Sequence, residues 1–136
     1  LIEFVAELSA FRKTYRGVRQ TKFLHGQELC DNGIPDVEWM DFEGGEVDWH
    51  NPQLNGLCLN LGFCSDTSPK AGHALAFIIF NRDEASAKVQ LPETPTTKHW
   101  VKEIDTAAEH NRKQAIRGKQ VTVAGNSVVA LLLAAN

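Results

Sequence analysis

The run ALAFIIF at residues 74–80 is apolar at every position. A strand with no polar face needs cover on both sides, so this run predicts a central strand of a sheet. Before it, residues 57–63 (LCLNLGF) alternate, with Leu57, Leu59, Leu61 and Phe63 on one face of a half-buried strand. A polar loop at residues 65–72 separates the two runs, and residues 81–84 form a turn. Further upstream, Val37, Trp39 and Asp41 alternate against Asp36, Glu38, Met40 and Phe42.

The same rhythm continues downstream. Residues 87–91 alternate around Ala87, Val89 and Leu91 and stop at Pro92, and residues 99–105 set Trp100, Lys102 and Ile104 against Val101 and Glu103. After a charged excursion at 105–117, residues 120–124 and 127–134 form a last pair joined by Gly125-Asn126, a two-residue hairpin signal. Six or seven short strands divided by turns predict a mainly β chain, an antiparallel β-sandwich.

One helix precedes the strands. Leu1, Phe4, Val5, Leu8, Phe11 and Tyr15 recur at helical spacing over residues 1–16, giving an amphipathic stripe that must pack on something. Arg12, Lys13 and Arg16 suit the negative end of the helix dipole, and Gly17 is placed for a left-handed stop. Residues 18–35 are irregular, with Gly26, Asn32-Gly33 and Pro35 as turn signals.

Bulk properties narrow the function. At 136 residues the chain fits one domain and can bury roughly two-thirds of its unfolded surface. With 43% hydrophobic and 23% charged residues it is an ordinary globular composition, not a disordered one. A net charge of −3 argues against nucleic acid or an anionic membrane as partner. Cys30, Cys58 and Cys64 are an odd set without C-x-x-C spacing, which predicts buried thiols in a reducing, cytoplasmic setting and no zinc site or disulfide frame. The most apolar run, 128–135, is far shorter than the ~20 residues of a membrane-spanning helix. Glu3 and Glu7 fall in the first helix, so no signal peptide is expected, and the missing initiator Met reads as a piece of a longer chain.

The chemistry-bearing stretch is residues 36–52, DVEWMDFEGGEVDWHNP, with two tryptophans, six carboxylates and a Gly-Gly break. Asp36 and Glu38 would project from one strand face roughly 7 Å apart, within the spacing of an inverting glycosidase pair. The competing reading, a solvated acidic face, is the stronger, because nothing nearby splits their pKa values. The five histidines show no i, i+4 pair, no G-x-S-x-G elbow is present, and Gly44-Gly45 lacks a phosphate-loop context. No catalytic residue, metal or cofactor is assigned. For Trp39, Trp49 and Trp100 core packing competes with a sugar platform in which a ring stacks on a pyranose and polar neighbours bond its hydroxyls. Trp49, in a loop with Asp48 and Asn51, is the best-placed carbohydrate contact, followed by Trp39.

Taken in order, the helix, Lys22-Phe23-Leu24-His25-Gly26, Asp36-Val37-Glu38-Trp39, Asp48-Trp49-x-x-Pro52 and the strand from Leu57 resemble the C-terminal part of a debranching enzyme. The family is the glycogen-debranching and isoamylase branch of glycoside hydrolase family 13, in the α-amylase superfamily. Asn81, Leu91-Pro92 and the run 100–106 (WVKEIDT) also sit where such members carry similar residues. Two departures stand out: Glu43-Gly44-Gly45 replaces a Pro-Asp-Gly turn, and the acidic stretch before Asp48 is short. They leave a bacterial glycogen-type and a plant isoamylase-like parent both open.

The resemblance implies three parts: residues 1–17 as the last helix of a (β/α)₈ barrel, 18–56 as a connecting insertion, and 57–136 as the β-sandwich C-terminal domain. It implies a parent that hydrolyses α-1,6 branch links in glycogen or limit dextrin, with its catalytic carboxylates upstream in the barrel. This segment would be inactive alone, with the barrel domain and α-glucan polysaccharide as partners. A free-standing carbohydrate-binding module is the alternative, recognisable by an exposed, coplanar tryptophan pair and a helix packed on its own sheet. A structural interaction domain of other ancestry would show neither sugar binding nor an exposed apolar helix face.

Overall fold

A computed structural model describes residues 1–19, 23–28, 34–63, 74–110 and 112–135. The turn expected at Asn32-Gly33, the loop at 65–72, and Cys30 and Cys64 lie outside the described residues. The described chain is mainly β: one N-terminal helix, then antiparallel sheets of six and two strands that stay open and do not close into a barrel.

The helix α1 (Ile2–Thr14) is followed by a 3₁₀ turn, Arg16–Arg19. The strands are β1 (Val37–Met40), β2 (Gly56–Phe63), β3 (Ala74–Asn81), β4 (Ala87–Gln90), β5 (Lys98–Asp105), β6 (Gln114–Ala115), β7 (Gln120–Val123) and β8 (Ser127–Ala135). The large sheet runs β1-β2-β3-β8-β5-β6, and β4 pairs with β7 in the small one. The all-apolar run becomes β3 and is interior to the sheet, between β2 and β8.

Alternation gives the large sheet two faces. On one, Cys58, Leu75, Phe77, Ile79, Val129 and Leu131 meet Val89, Val121 and Val123 of the small sheet, closing the main core. Trp100 joins them, its ring centroid 5.8 Å from that of Phe77 and its indole Nε1–H donating to the Pro92 carbonyl at 3.1 Å. On the other face Leu61, Ala76 and Leu132 are covered by Phe11, Tyr15 and Val18, from the end of α1 and the 3₁₀ turn.

Five local expectations change. β2 is covered on both faces, not on its leucine face alone: Leu61 is buried with Leu57 and Leu59 half-buried, while Cys58 on the opposite face joins the main core and Asn60 is buried too. Gly125-Asn126 is not a hairpin turn, because β7 and β8 belong to different sheets. The turn carries the chain between them; Asn126 adopts φ 51° and its N–H donates to the Asp83 carbonyl at 2.8 Å. Close approach explains the glycine, since a Cβ on Gly125 would lie 2.0 Å from the Glu84 carbonyl oxygen. A bulge between Lys102 and Ile104 turns Ile104 away from the Trp100 face, where strict alternation had put it. The excursion at 105–117 contains a strand, β6, too short for any periodicity to reveal.

The fifth change concerns α1. Gly17 lies inside the 3₁₀ turn and is not a left-handed cap; Tyr15, in extended backbone, ends the helix. The single stripe divides as well. Phe4, Phe11 and Tyr15 are half-buried, whereas Leu1 and Val5 are more than half in solvent, Leu8 is 38% exposed, and no residue of α1 is buried. The helix is held at its far end: the Tyr15 hydroxyl donates to Glu103 Oε1 at 3.1 Å, and Lys113 Nζ stands 3.5 Å from the same oxygen. Burial and the Glu103 carboxylate push the Tyr15 phenol up; Glu103 and Tyr15 push the Lys113 ammonium up.

Candidate functional site

The stretch singled out in the sequence folds as an edge strand, a Gly turn and an Asx-rich loop. Asp41 Oδ1 accepts from the backbone N–H of Glu43 (2.9 Å) and of Gly45 (2.8 Å), and Gly44 takes φ 85°, so the Gly-Gly break is a tight turn off β1. Two further turns follow. Asp48 Oδ1 accepts from His50 N–H at 3.2 Å and Asn51 Oδ1 from Gln53 N–H at 2.9 Å, while Asn51 N–H donates to the Asp48 carbonyl at 3.1 Å. Short polar side chains bonding to backbone two residues on make such loops stiff.

That stiff loop displays Trp49. Its ring centroid lies 5.9 Å from that of Trp39 with the planes at 81°, an edge-to-face contact. Trp49 is 58% and Trp39 43% exposed, so the pair is an open corner on the surface. Trp39 stands opposite Leu59 in the register, on the sheet face away from the main core. The structure thus brings together Trp39 and Trp49, with Asp48 and Asn51 in the loop that carries Trp49. Trp100 is separate from them, in the core.

Asp36 proves to be a structural carboxylate, not part of a solvated acidic face. It is 1% exposed and accepts from the backbone N–H of Gly26 (2.7 Å) and His25 (3.0 Å). Burial pushes its pKa up, but those N–H groups, the nearby His25 ring and the N–H of Val37 outweigh it and hold the carboxyl below its ordinary value. A carboxylate ionised and occupied in this way is no general acid. Glu38, its strand neighbour, faces solvent. The Cys58 thiol, buried and near Asp41, is pushed up to about 12 and is inert as a nucleophile. Among the described residues no three His, Cys, Asp or Glu side chains converge as metal ligands, and no helix is long and apolar enough to cross a membrane.

A concave feature lies elsewhere, on the α1 side of the large sheet. A cleft of about 230 Å³ between α1 and β5 is lined by Phe11, Tyr15, Glu103, Ile104 and Lys113, among others. Tyr15 and Glu103 are 88 positions apart, so no local pattern could have paired them.

No model of a known protein family matches the chain, and no curated protein matches it.

Proposed function

We propose that this chain is the non-catalytic C-terminal part of a glycoside hydrolase that cleaves α-1,6-glucosidic branch links in glycogen or limit dextrin. In this reading α1 is the last helix of an upstream catalytic barrel, and the two facing sheets form an α-amylase-type β-sandwich that buttresses it. The catalytic carboxylates of a retaining two-carboxylate mechanism belong to the barrel, so the chain alone is inactive. The setting is cytoplasmic, and the partners are the barrel and the α-glucan.

One observation carries the reading. The far end of α1 is tied to the β-domain through Phe11, Tyr15 and Val18, while Val5 (52% exposed) and Leu8 (38%) present an apolar flank away from it. A helix gripped at one end with apolar side chains left over suits an element shared between two domains. The ordered motifs at 36–39 and 48–52 add the debranching family as the parent. A free-standing sugar-binding module fits less well, because its helix would be buried on its own sheet and its tryptophans coplanar.

Determining the coding sequence upstream of Leu1 tests the proposal. Barrel strands ending in three carboxylates are expected; an upstream stretch with no barrel overturns it. Measurable hydrolysis of an α-1,6-linked substrate by the purified 136-residue chain would overturn the inactive assignment.

A further inference from the structure

Among the described residues, the Trp39–Trp49 corner is an exposed aromatic pair that packing within this chain does not account for. Large aromatics contribute to stability by leaving water, and neither of these does so fully. Yet the loop under Trp49 is braced by two Asx-type bonds and two backbone bonds, Asn51 N–H to the Asp48 carbonyl and Leu54 N–H to the Asn51 carbonyl at 3.2 Å. An exposed ring on a braced loop is pre-organised for a ligand, which then loses little on ordering it.

The polar groups on the loop that carries Trp49 define what kind of ligand. Asp48 Oδ1 and Asn51 Oδ1 are engaged with backbone, which leaves Asp48 Oδ2 as an acceptor and the Asn51 Nδ2 group as a donor, with no partner for either among the described residues. Acceptor and donor in one loop match a hydroxyl, which needs both. An apolar ring face on the same loop as such groups suits a pyranose, whose C–H face is apolar and whose rim is hydroxyls. A quaternary cation fits less well. It needs aromatic walls standing apart to enclose it, and these two rings already touch edge to face.

The angle between the rings narrows the class. A flat β-1,4-linked glucan lies along coplanar rings; an α-1,4-linked glucan turns from one unit to the next and offers successive faces at an angle. Planes at 81° cannot support the flat chain over two units. We propose that Trp39 and Trp49, with Asp48 and Asn51, hold a curved α-linked glucan chain at the edge of the β-domain. The ring geometry argues for a turning chain by itself; the choice of glucose as the unit rests on the debranching-domain reading.

Titrating maltoheptaose into the 136-residue chain while following tryptophan fluorescence tests this, with cellohexaose in parallel. Trp100 is buried, so a ligand-dependent signal reports on the corner. A saturable change with half-saturation on the order of 1 mM is expected for maltoheptaose. It should be absent with cellohexaose and weakened at least about tenfold in Trp49→Ala, whose circular dichroism stays that of the parent because the ring is exposed. Equal response to cellohexaose, no response to maltoheptaose at about 10 mM, or a response to tetramethylammonium alone would each overturn the proposal. The upstream sequence is an independent readout. A silent corner beside an upstream barrel removes the glucan site and keeps the domain reading; maltoheptaose binding with no barrel does the reverse.

Discussion

Phe77 and Ile78 are neighbours on β3, both apolar, and they meet different surroundings. Phe77 is wholly buried, facing Trp100 and the small sheet; Ile78 looks the other way and is only half-covered. The difference belongs to the whole large sheet. One face is closed by β4 and β7, which the same chain supplies through local turns. The other is closed over Leu61, Ala76 and Leu132 by the end of α1, and beyond that Trp39 and Phe80 reach solvent. The two faces of one sheet are thus covered to different extents. The closed face carries the main core, and the half-open face keeps apolar surface in water, where the proposed barrel and glucan contacts would lie.

Substitutions should respect that division. The largest effect is expected on the closed face: Phe77→Ala leaves a cavity under the small sheet and should cost about 3–5 kcal/mol, read as a loss of chemical-denaturation midpoint. A cost under about 1 kcal/mol would mean the face is not a packed core. Next comes the joint between the sheets. Gly125→Ala drives a methyl into the Glu84 carbonyl and should cost about 1–3 kcal/mol, with hydrogen exchange rising in β4 and β7 before the large sheet. Unchanged stability would show that the two turns can part freely.

On the half-open face the effects shrink. Tyr15→Phe removes the bond to Glu103 and should cost about 1 kcal/mol, with faster amide exchange confined to α1 and the 3₁₀ turn. Exchange that rises equally in β3 would contradict a helix docked only at its end. Val5→Ser should stay within about 0.5 kcal/mol of the parent, because the side chain is already more than half in water. A loss above about 1 kcal/mol in the isolated chain would place the flank inside its own core and remove the contrast between the faces.

Much of this was legible residue by residue. The unbroken apolar run at 74–80 identified an interior strand, because a strand without a polar face cannot sit at an edge. Trp49 was recognisable as a displayed ring from its place among Asp48, Asn51 and Pro52, which form turns by local bonding. Trp39 was harder to read. Strand alternation put it on a face but could not say that the face would be left open beside Trp49. Asp36 reads as solvated in a local window because its partners, the N–H groups of His25 and Gly26, lie ten residues and more upstream across an irregular segment.

Local chemistry therefore determined what kind of elements the chain makes: a helix from spacing at three and four, strands from alternation, and turns from Gly, Asn and Asp. The tertiary structure decided which strand joins which sheet and which face is closed. The reason is that a period of two names two faces without saying what lies against either. Gly125-Asn126 reads as a hairpin in any local window, and only the pairing of β7 with β4, and of β8 with β3 and β5, makes it a crossing between sheets. The bulge at Lys102–Ile104 likewise inverts a face with no mark in the residues around it. The meeting of Trp39 and Trp49 depends on the packing of a loop against an edge strand, a relation no single segment contains.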